Sequence, residues 1–220
     1  MGTNSGIAFG YFESKFSGSE KKRRILDIGA NSNPWALDWL THVIDDTISP
    51  ESQKKFNANG IEVFNFDIED CVYWDAVLND VEKNGKFDFI ICSHTLEDIS
   101  NPKSVCRIIN EIGKAGFIST PSKYAELTLW QRKYHLPYKG YHHHRWIYQI
   151  KNNVLIGYPK MNFHDYVDFS FDQGKARHSE IAFLWEDKFE YEFIRPANMM
   201  DNKQGPNKLG DLFEDDDLIL

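Results

Sequence analysis

The chain has 220 residues, 41% of them hydrophobic and 15% aromatic, enough for one sizeable core but not for two full domains. A formal net charge of -8 repels a phosphate backbone, which disfavours nucleic acid as a partner. No stretch approaches the roughly 20 apolar residues of a membrane helix, so no membrane partner is expected.

The first residues carry no apolar signal-peptide core. Cys71, Cys92 and Cys106 are odd in number and form no C-x-x-C pair, so neither a disulfide framework nor a cysteine metal site is suggested. A cytosolic protein with reduced thiols is expected. The opening MGTNSG places Gly6 where an N-myristoylation signal requires Ser or Thr.

In chain order, residues 1–22 are rich in Gly and Ser without a clean period and read as an irregular leader. From Arg23 onward, short apolar runs recur at helix-length gaps: RILDIG, THVIDD, IEVFNFD, FDFIICS and AGFIST. Such runs, bounded by Gly, Asp, Ser and Pro, read as buried strands of an α/β domain with a mostly parallel sheet. The connecting segments show helix signals. NPWALDWL offers Asn33 as a cap before Pro34, and SPESQKKFNANG places Pro50 at a start and Gly60 at a stop. In NPKSVCRIINEIGKAG, the Asn101 cap, Pro102, the apolar series Val105, Ile108, Ile109, Ile112 and a Gly113 stop spell a third helix.

Residues 121–178 change character, with many aromatics and most of the histidines, and read as an inserted substrate cap or lid. EIAFLWEDKFEYEFI, Glu180 to Ile194, reads as a C-terminal antiparallel hairpin turning at Glu186-Asp187-Lys188 and closing the sheet edge. The domain is expected over 23–198, followed by a flexible acidic tail over 199–220.

The loop after the first run, LDIGANSNP, decides the ligand class. In an open parallel sheet, ligands sit beyond the carboxyl ends of the strands, where strand order reverses. Gly29 permits close approach, and Asn31 is the kind of non-Gly residue that tolerates positive φ. No Gly-Lys-Ser/Thr follows, which excludes a phosphate-cradling P-loop. Pro34 and Trp35 stand where a dinucleotide loop needs a third Gly, and the acid Asp27 suits an amino-bearing ligand better than a pyrophosphate. Asp45 lies at the end of the second run, near the spacing at which a carboxylate meets ribose hydroxyls. Asp67 ends the third run within reach of an adenine amino group, and Ser93 and His94 end the fourth. Each of these acids can instead cap the segment that follows it.

Four pieces together, LDIGANSNP, VIDD, FDIED and FDFIICSHTLEDISNP, resemble the class I S-adenosylmethionine-dependent methyltransferases over about residues 23 to 121. The last piece is similar to the D-x-I-x-x-x-H-x-L-E-H-x-x-x-P pattern of small-molecule methyltransferases. Asn31 replaces a usual Gly, and Asp98 replaces the usual second His. The resemblance implies a Rossmann-like, seven-stranded fold and S-adenosylmethionine as cofactor. It places Asp27 and Gly29 at the methionine portion, Asn31 in the same cofactor-binding loop, Asp45 at the ribose, Asp67 at the adenine, and Ser93 and His94 near the sulfonium.

A hydroxyl acceptor must lose a proton as it attacks, and histidine is the natural base near neutral pH. The candidates are His142, His143 and His144 in KGYHHHRWIY, with His94; Tyr141, Arg145 and Trp146 would bind the acceptor. In an extended strand, His143 would point away from His142 and His144, so no metal site is assigned. The same segment also reads as an aromatic-rich surface loop whose histidines bond ordinary backbone groups. Trp130, Tyr134, Tyr138 and Trp146 are candidates for stacking on a sugar or ring, or equally for burying one another. The expected activity is methyl transfer to a small-molecule or saccharide acceptor, at oxygen. An NAD-binding oxidoreductase or a non-catalytic cofactor-binding protein is the alternative.

Overall fold

A computed structural model describes residues 3–16, 23–128, 138–165 and 180–195. The tail expected over 199–220, together with Trp130 and Tyr134, lies outside the described residues. The chain divides into two units. One comprises residues 1–95, 101–118 and 184–188, and the other residues 96–100, 119–183 and 189–220.

In the first unit, β1 (Ile25–Ile28), β2 (His42–Ile44), β3 (Glu62–Phe64) and β4 (Phe89–Ser93) form where the apolar runs predict strands. β1 pairs in parallel with both β2 and β4, and β2 pairs in parallel with β3. With β5 (Ala115–Pro121) and β8 (Glu180–Glu186), the order among the described residues is β3-β2-β1-β4-β5-β8. The architecture is therefore α/β with a largely parallel sheet. Six strands of this sheet lie among the described residues. β1 and β4 are buried almost throughout, as strands covered on both faces must be.

The helices follow their start and stop signals in two of the three places expected. α2 (Pro50–Ala58) begins at Ser49, whose side chain accepts from the Ser52 amide, and α4 (Pro102–Ile112) runs from Asn101 to Gly113. The core face of α4 is the expected apolar series with Cys106 added. The helix expected from Asn33 is not formed. Residues 33–40 make turns and one 3-10 turn, Leu37–Trp39, because Thr41 must already bond Ile25 at the start of β2. Too few residues remain for a helical crossover. α3 (Trp74–Asn84) fills the gap before β4, where no helix was assigned from sequence. The leader is also corrected: Thr3–Phe16 is a helix, α1, whose Phe9 and Phe12 rings lie 4.6 and 4.8 Å from Trp39. Those contacts are long-range in sequence and leave no periodic trace.

The second unit is built on a three-stranded sheet, β6-β7-β9, with β6 (Trp146–Lys151), β7 (Val154–Pro159) and β9 (Glu190–Phe193), and a short helix, α5 (Lys123–Glu126). β6 and β7 pair antiparallel across Asn152-Asn153, both at positive φ (51° and 59°). A two-residue turn with both φ positive matches the twist of the flanking strands. The expected hairpin over 180–194 is overturned. The chain does turn at Asp187 (φ 60°), but β8 joins the six-stranded sheet while β9 pairs in parallel with β7.

Asn153→Val should cost about 1–2 kcal/mol, since a β-branched residue resists left-handed backbone, whereas Asn153→Gly should cost nothing; urea denaturation midpoints of the two variants check this.

Candidate functional site

The sheet order reverses between β1 and β4, and the loops after these two strands define a crevice edge within the first unit. Gly29, at φ +74°, closes β1 by donating its amide to the Ile44 carbonyl at 2.9 Å. A Cβ built there would sit 2.0 Å from Thr95 Oγ1 and 2.7 Å from Thr95 Cγ2, so only glycine fits. The Thr95 hydroxyl is held by the Ile28 carbonyl at 3.3 Å and the Ser93 carbonyl at 3.1 Å, tying the two loops together. Asn31 and His94 both take left-handed backbone, each at φ 52°. For side chains other than glycine this costs on the order of 1 kcal/mol or more, and such outliers cluster at ligand sites.

Asp27 lies on β1, 2% exposed. No group among the described residues hydrogen-bonds its carboxyl. Burial, and secondarily the nearby charge of Asp45, push its pKa well above the usual carboxylate range. Asp45 closes β2 and organises the loop: Oδ2 accepts from the Asn31 amide at 2.7 Å, and Oδ1 accepts from the Thr47 amide at 2.7 Å and the Thr47 hydroxyl. Three of its roughly four acceptor sites are thus in use, leaving one on Oδ2. The structure therefore brings Asp27, Gly29, Asn31 and Asp45 together. Asp67 is exposed after β3, and its Oδ1 accepts from the Glu69 amide, the capping behaviour weighed as its alternative. Ser93 is half-buried and His94 exposed at the end of β4. Thr95 escaped the sequence reading, although it stands directly after His94.

The second unit holds the histidine cluster. Residues 142–143 form a turn, with the His144 amide bonding the Tyr141 carbonyl at 3.3 Å, so the alternation expected of a strand does not apply. His144 Nδ1 lies 2.6 Å from Oε1 of Glu126, which is fully buried. The other oxygen, Oε2, accepts from Lys160 Nζ at 2.5 Å, and that ammonium also reaches the carbonyls of Lys139 (3.0 Å) and Tyr141 (2.6 Å). Gly140, at φ 55°, makes room for this: a Cβ there would lie 2.6 Å from Glu126 Cα and carbonyl oxygen. His144 Nε2 lies 3.7 Å from Asp98 Oδ1, and a tautomer that donates Nδ1–H to Glu126 leaves the lone pair of that nitrogen available. His143 Nε2 lies 3.8 Å from the same oxygen.

A cavity of about 200 Å³ is lined by Tyr138, Lys139, His142, His144, Lys160, Met161, Asn162 and Asp165. The Tyr141 ring packs 4.5 Å from His144, and burial, then the charges of Glu126, Glu180 and Glu97, raise its pKa, so it remains a phenol. The Arg145 amide and Trp146 indole bond the Glu97 and Ile99 carbonyls, so both residues serve the fold of this segment as well. Glu126, Lys160 and the role of Asp98 were missed because their partners lie far apart in the sequence.

Residues 12–152, more than half of the chain, match the model of a family described as a methyltransferase domain, and the chain belongs to that family. No curated protein matches the sequence. Among solved structures, the chain is similar to the N-terminal domain of EvdMO1 in the presence of SAH and D-fucose, at 17% identity over 57% of this chain and 54% of that one, with a TM-score of 0.39. It is also similar to coclaurine N-methyltransferase bound to N-methylheliamine and SAH (16% identity, 54% and 36% covered, TM-score 0.37). A third is Thermoplasma acidophilum 1320 (12% identity, 83% and 87% covered, TM-score 0.41). The chain spans about half the length of the EvdMO1 domain. At such scores function rests on the family and the site, not on these likenesses.

Two outcomes are expected at the crevice. Gly29→Ala should destabilise the protein by about 1–3 kcal/mol, with Thr95→Ala recovering part of the loss in a double-mutant cycle read by thermal denaturation. For Asp27, the unfolded chain releases its carboxyl proton above about pH 4 while the folded chain keeps it, so stability falls as pH rises toward the raised native pKa. Asp27→Asn should flatten that fall and melt higher than the unsubstituted protein at neutral pH, as melting curves across a pH series would show.

Proposed function

We propose that this protein is an S-adenosylmethionine-dependent methyltransferase acting on an oxygen of a small polar molecule or saccharide. The observation that carries the reading is the Gly29 crevice edge at the β1/β4 reversal, bordered by Asp45 and by a buried Asp27 whose carboxyl has no hydrogen-bond partner among the described residues, in a chain of the methyltransferase-domain family.

The residues fit the cofactor. Asp27 would meet the amino end of the methionine portion, where a cation would offset the cost of ionising a buried carboxyl. Gly29 and Asn31 would present backbone to it. The one acceptor site left on Asp45 suits a ribose hydroxyl, and the exposed Asp67 retains Oδ2 for an adenine amino group. Ser93 and His94 would line the same edge. When bound, the cofactor supplies an electrophilic methyl group.

The acceptor chemistry is assigned to the second unit. The polar cavity at His142 and His144 suits a hydroxylated molecule, and Tyr141, Arg145 and Trp146 border this segment. The proton released by the acceptor hydroxyl would pass to the cluster of His142, His143 and His144; holding donor and acceptor in place supplies much of the remaining rate. The sevenfold strand count and the closing of 121–178 as a cap belong to this reading too, as do a cytosolic location and the lack of a nucleic-acid partner. Among the described residues, no helix is long and apolar enough to cross a membrane.

Isothermal titration tests the assignment. S-adenosylhomocysteine should bind and NAD should not, and Asp45→Ala should weaken binding about tenfold or more, the value of a hydrogen bond to a charged group. Binding of NAD instead, or indifference to Asp45→Ala, would contradict the reading. With S-adenosylmethionine and a set of monosaccharides, mass spectrometry should then find a methylated product that His142→Ala diminishes.

A further inference from the structure

We propose that Asp98, His143 and His144 bind a divalent transition-metal ion, with zinc the best match, and leave a coordination position open for an oxygen of the acceptor. One oxygen and two imidazole nitrogens from these residues lie within 4.8 Å of one another. Asp98 Oδ1 is 3.7 Å from His144 Nε2 and 3.8 Å from His143 Nε2, too far for hydrogen bonds. Ligand atoms around a tetrahedral zinc, each about 2.0–2.1 Å from the ion, stand roughly 3.3 Å apart. Closing the two gaps to Asp98 takes about half an ångström against this spacing, and the exposed side chains of Asp98 and His143 have room to move.

The surroundings of His144 are those of a metal ligand. Its Nδ1 lies 2.6 Å from a fully buried carboxyl group, Glu126, and an Nδ1–H donated there leaves Nε2 as the ligating nitrogen facing Asp98. Lys160 does not compete as a cation, since its ammonium is spent on Glu126 Oε2 and two backbone carbonyls. The turn at residues 142–143 lets two consecutive histidines serve one ion, which an extended strand would forbid.

A second such group, His42, Glu62 and Asp80, lies in the first unit. They are also within ligating reach of one another, but the Arg24 guanidinium already neutralises Asp80 there. No such cation occupies Asp98 among the described residues.

Two nitrogens and one carboxylate oxygen form a donor set suited to zinc, and three protein ligands with an open fourth position are the pattern of catalytic rather than structural sites. This use of the ion rests on the methyltransferase reading. A hydroxyl of the acceptor coordinated there would give up its proton more readily, the O–H bond breaking as the proton passes to a ring nitrogen of His142.

Cobalt titration into the untagged, chelator-treated full chain tests the site itself. One equivalent should produce the visible absorption bands of four- or five-coordinate Co2+, and Zn2+ should displace them. Asp98→Asn and His143→Ala should each abolish the bands, while Glu126→Gln should weaken binding about 10–100-fold. Asp98 and His143 are exposed, so both variants should melt with the metal-free parent, and their affinity for S-adenosylhomocysteine should be unchanged. Absence of bands, or bands that survive both substitutions, would overturn the site. Loss of S-adenosylhomocysteine binding in the parent would instead overturn the methyltransferase reading and leave the metal result standing.

Discussion

The approach of Thr95 to the bare backbone of Gly29 sets the geometry of the first unit's crevice edge. β1 and β4 are neighbours whose following segments leave in different directions, and the Thr95 hydroxyl fastens them by bonding one carbonyl from each strand end. Any side chain at Gly29 would push this fastening apart. Around it the backbone is forced into left-handed conformations at Gly29, Asn31 and His94, and Asp45 then locks the loop through its bonds to Asn31 and Thr47. The result is a rigid edge that exposes backbone beside a carboxyl group kept from water. That combination costs stability in the free protein, a cost that a bound ligand with a positive group and hydroxyls would offset.

A second buried carboxylate organises the other unit by a different means. Glu126 is fully enclosed, yet both of its oxygens are matched, one by His144 and the other by Lys160. Removing either partner from such an arrangement leaves a charge without compensation, at a cost of about 3–5 kcal/mol. Lys160 in turn bridges two backbone carbonyls of the segment that carries the histidines. Stability and orientation therefore share the same atoms: the interactions that fix residues 139–144 also aim the free nitrogen of His144.

Much of the parallel sheet could be read from the sequence because each strand is an apolar run ended by a chain-turning residue. The α4 helix was equally plain, since its buried face follows one uninterrupted period from Val105 to Ile112. What could not be read depends on partners distant in the chain. The helix Thr3–Phe16 is explained by Trp39 and Phe89, against which its aromatics pack, and not by its own pattern. Residues 33–40 carry helix-start residues but lack the length to use them, and β8 and β9 look like one hairpin although the turn at Asp187 sends them to different sheets. The β6–β7 hairpin did have a local signature, Asn152-Asn153 between two apolar runs. At the site, Asp27, Gly29, Asn31 and Asp45 were accessible because each sits at a strand end, where topology alone dictates convergence. Thr95, Glu126 and Lys160 were not, because their importance lies in what they touch.

The central claim is that the Gly29 edge of the first unit receives an adenosyl cofactor. Amide hydrogen exchange measured with and without S-adenosylhomocysteine addresses it most directly. Slowed exchange confined to the segments around 27–31, 45–47, 67–69 and 93–95 is the result this account requires. Ligand binding that leaves those amides unprotected, with slowing elsewhere in the chain, would contradict it.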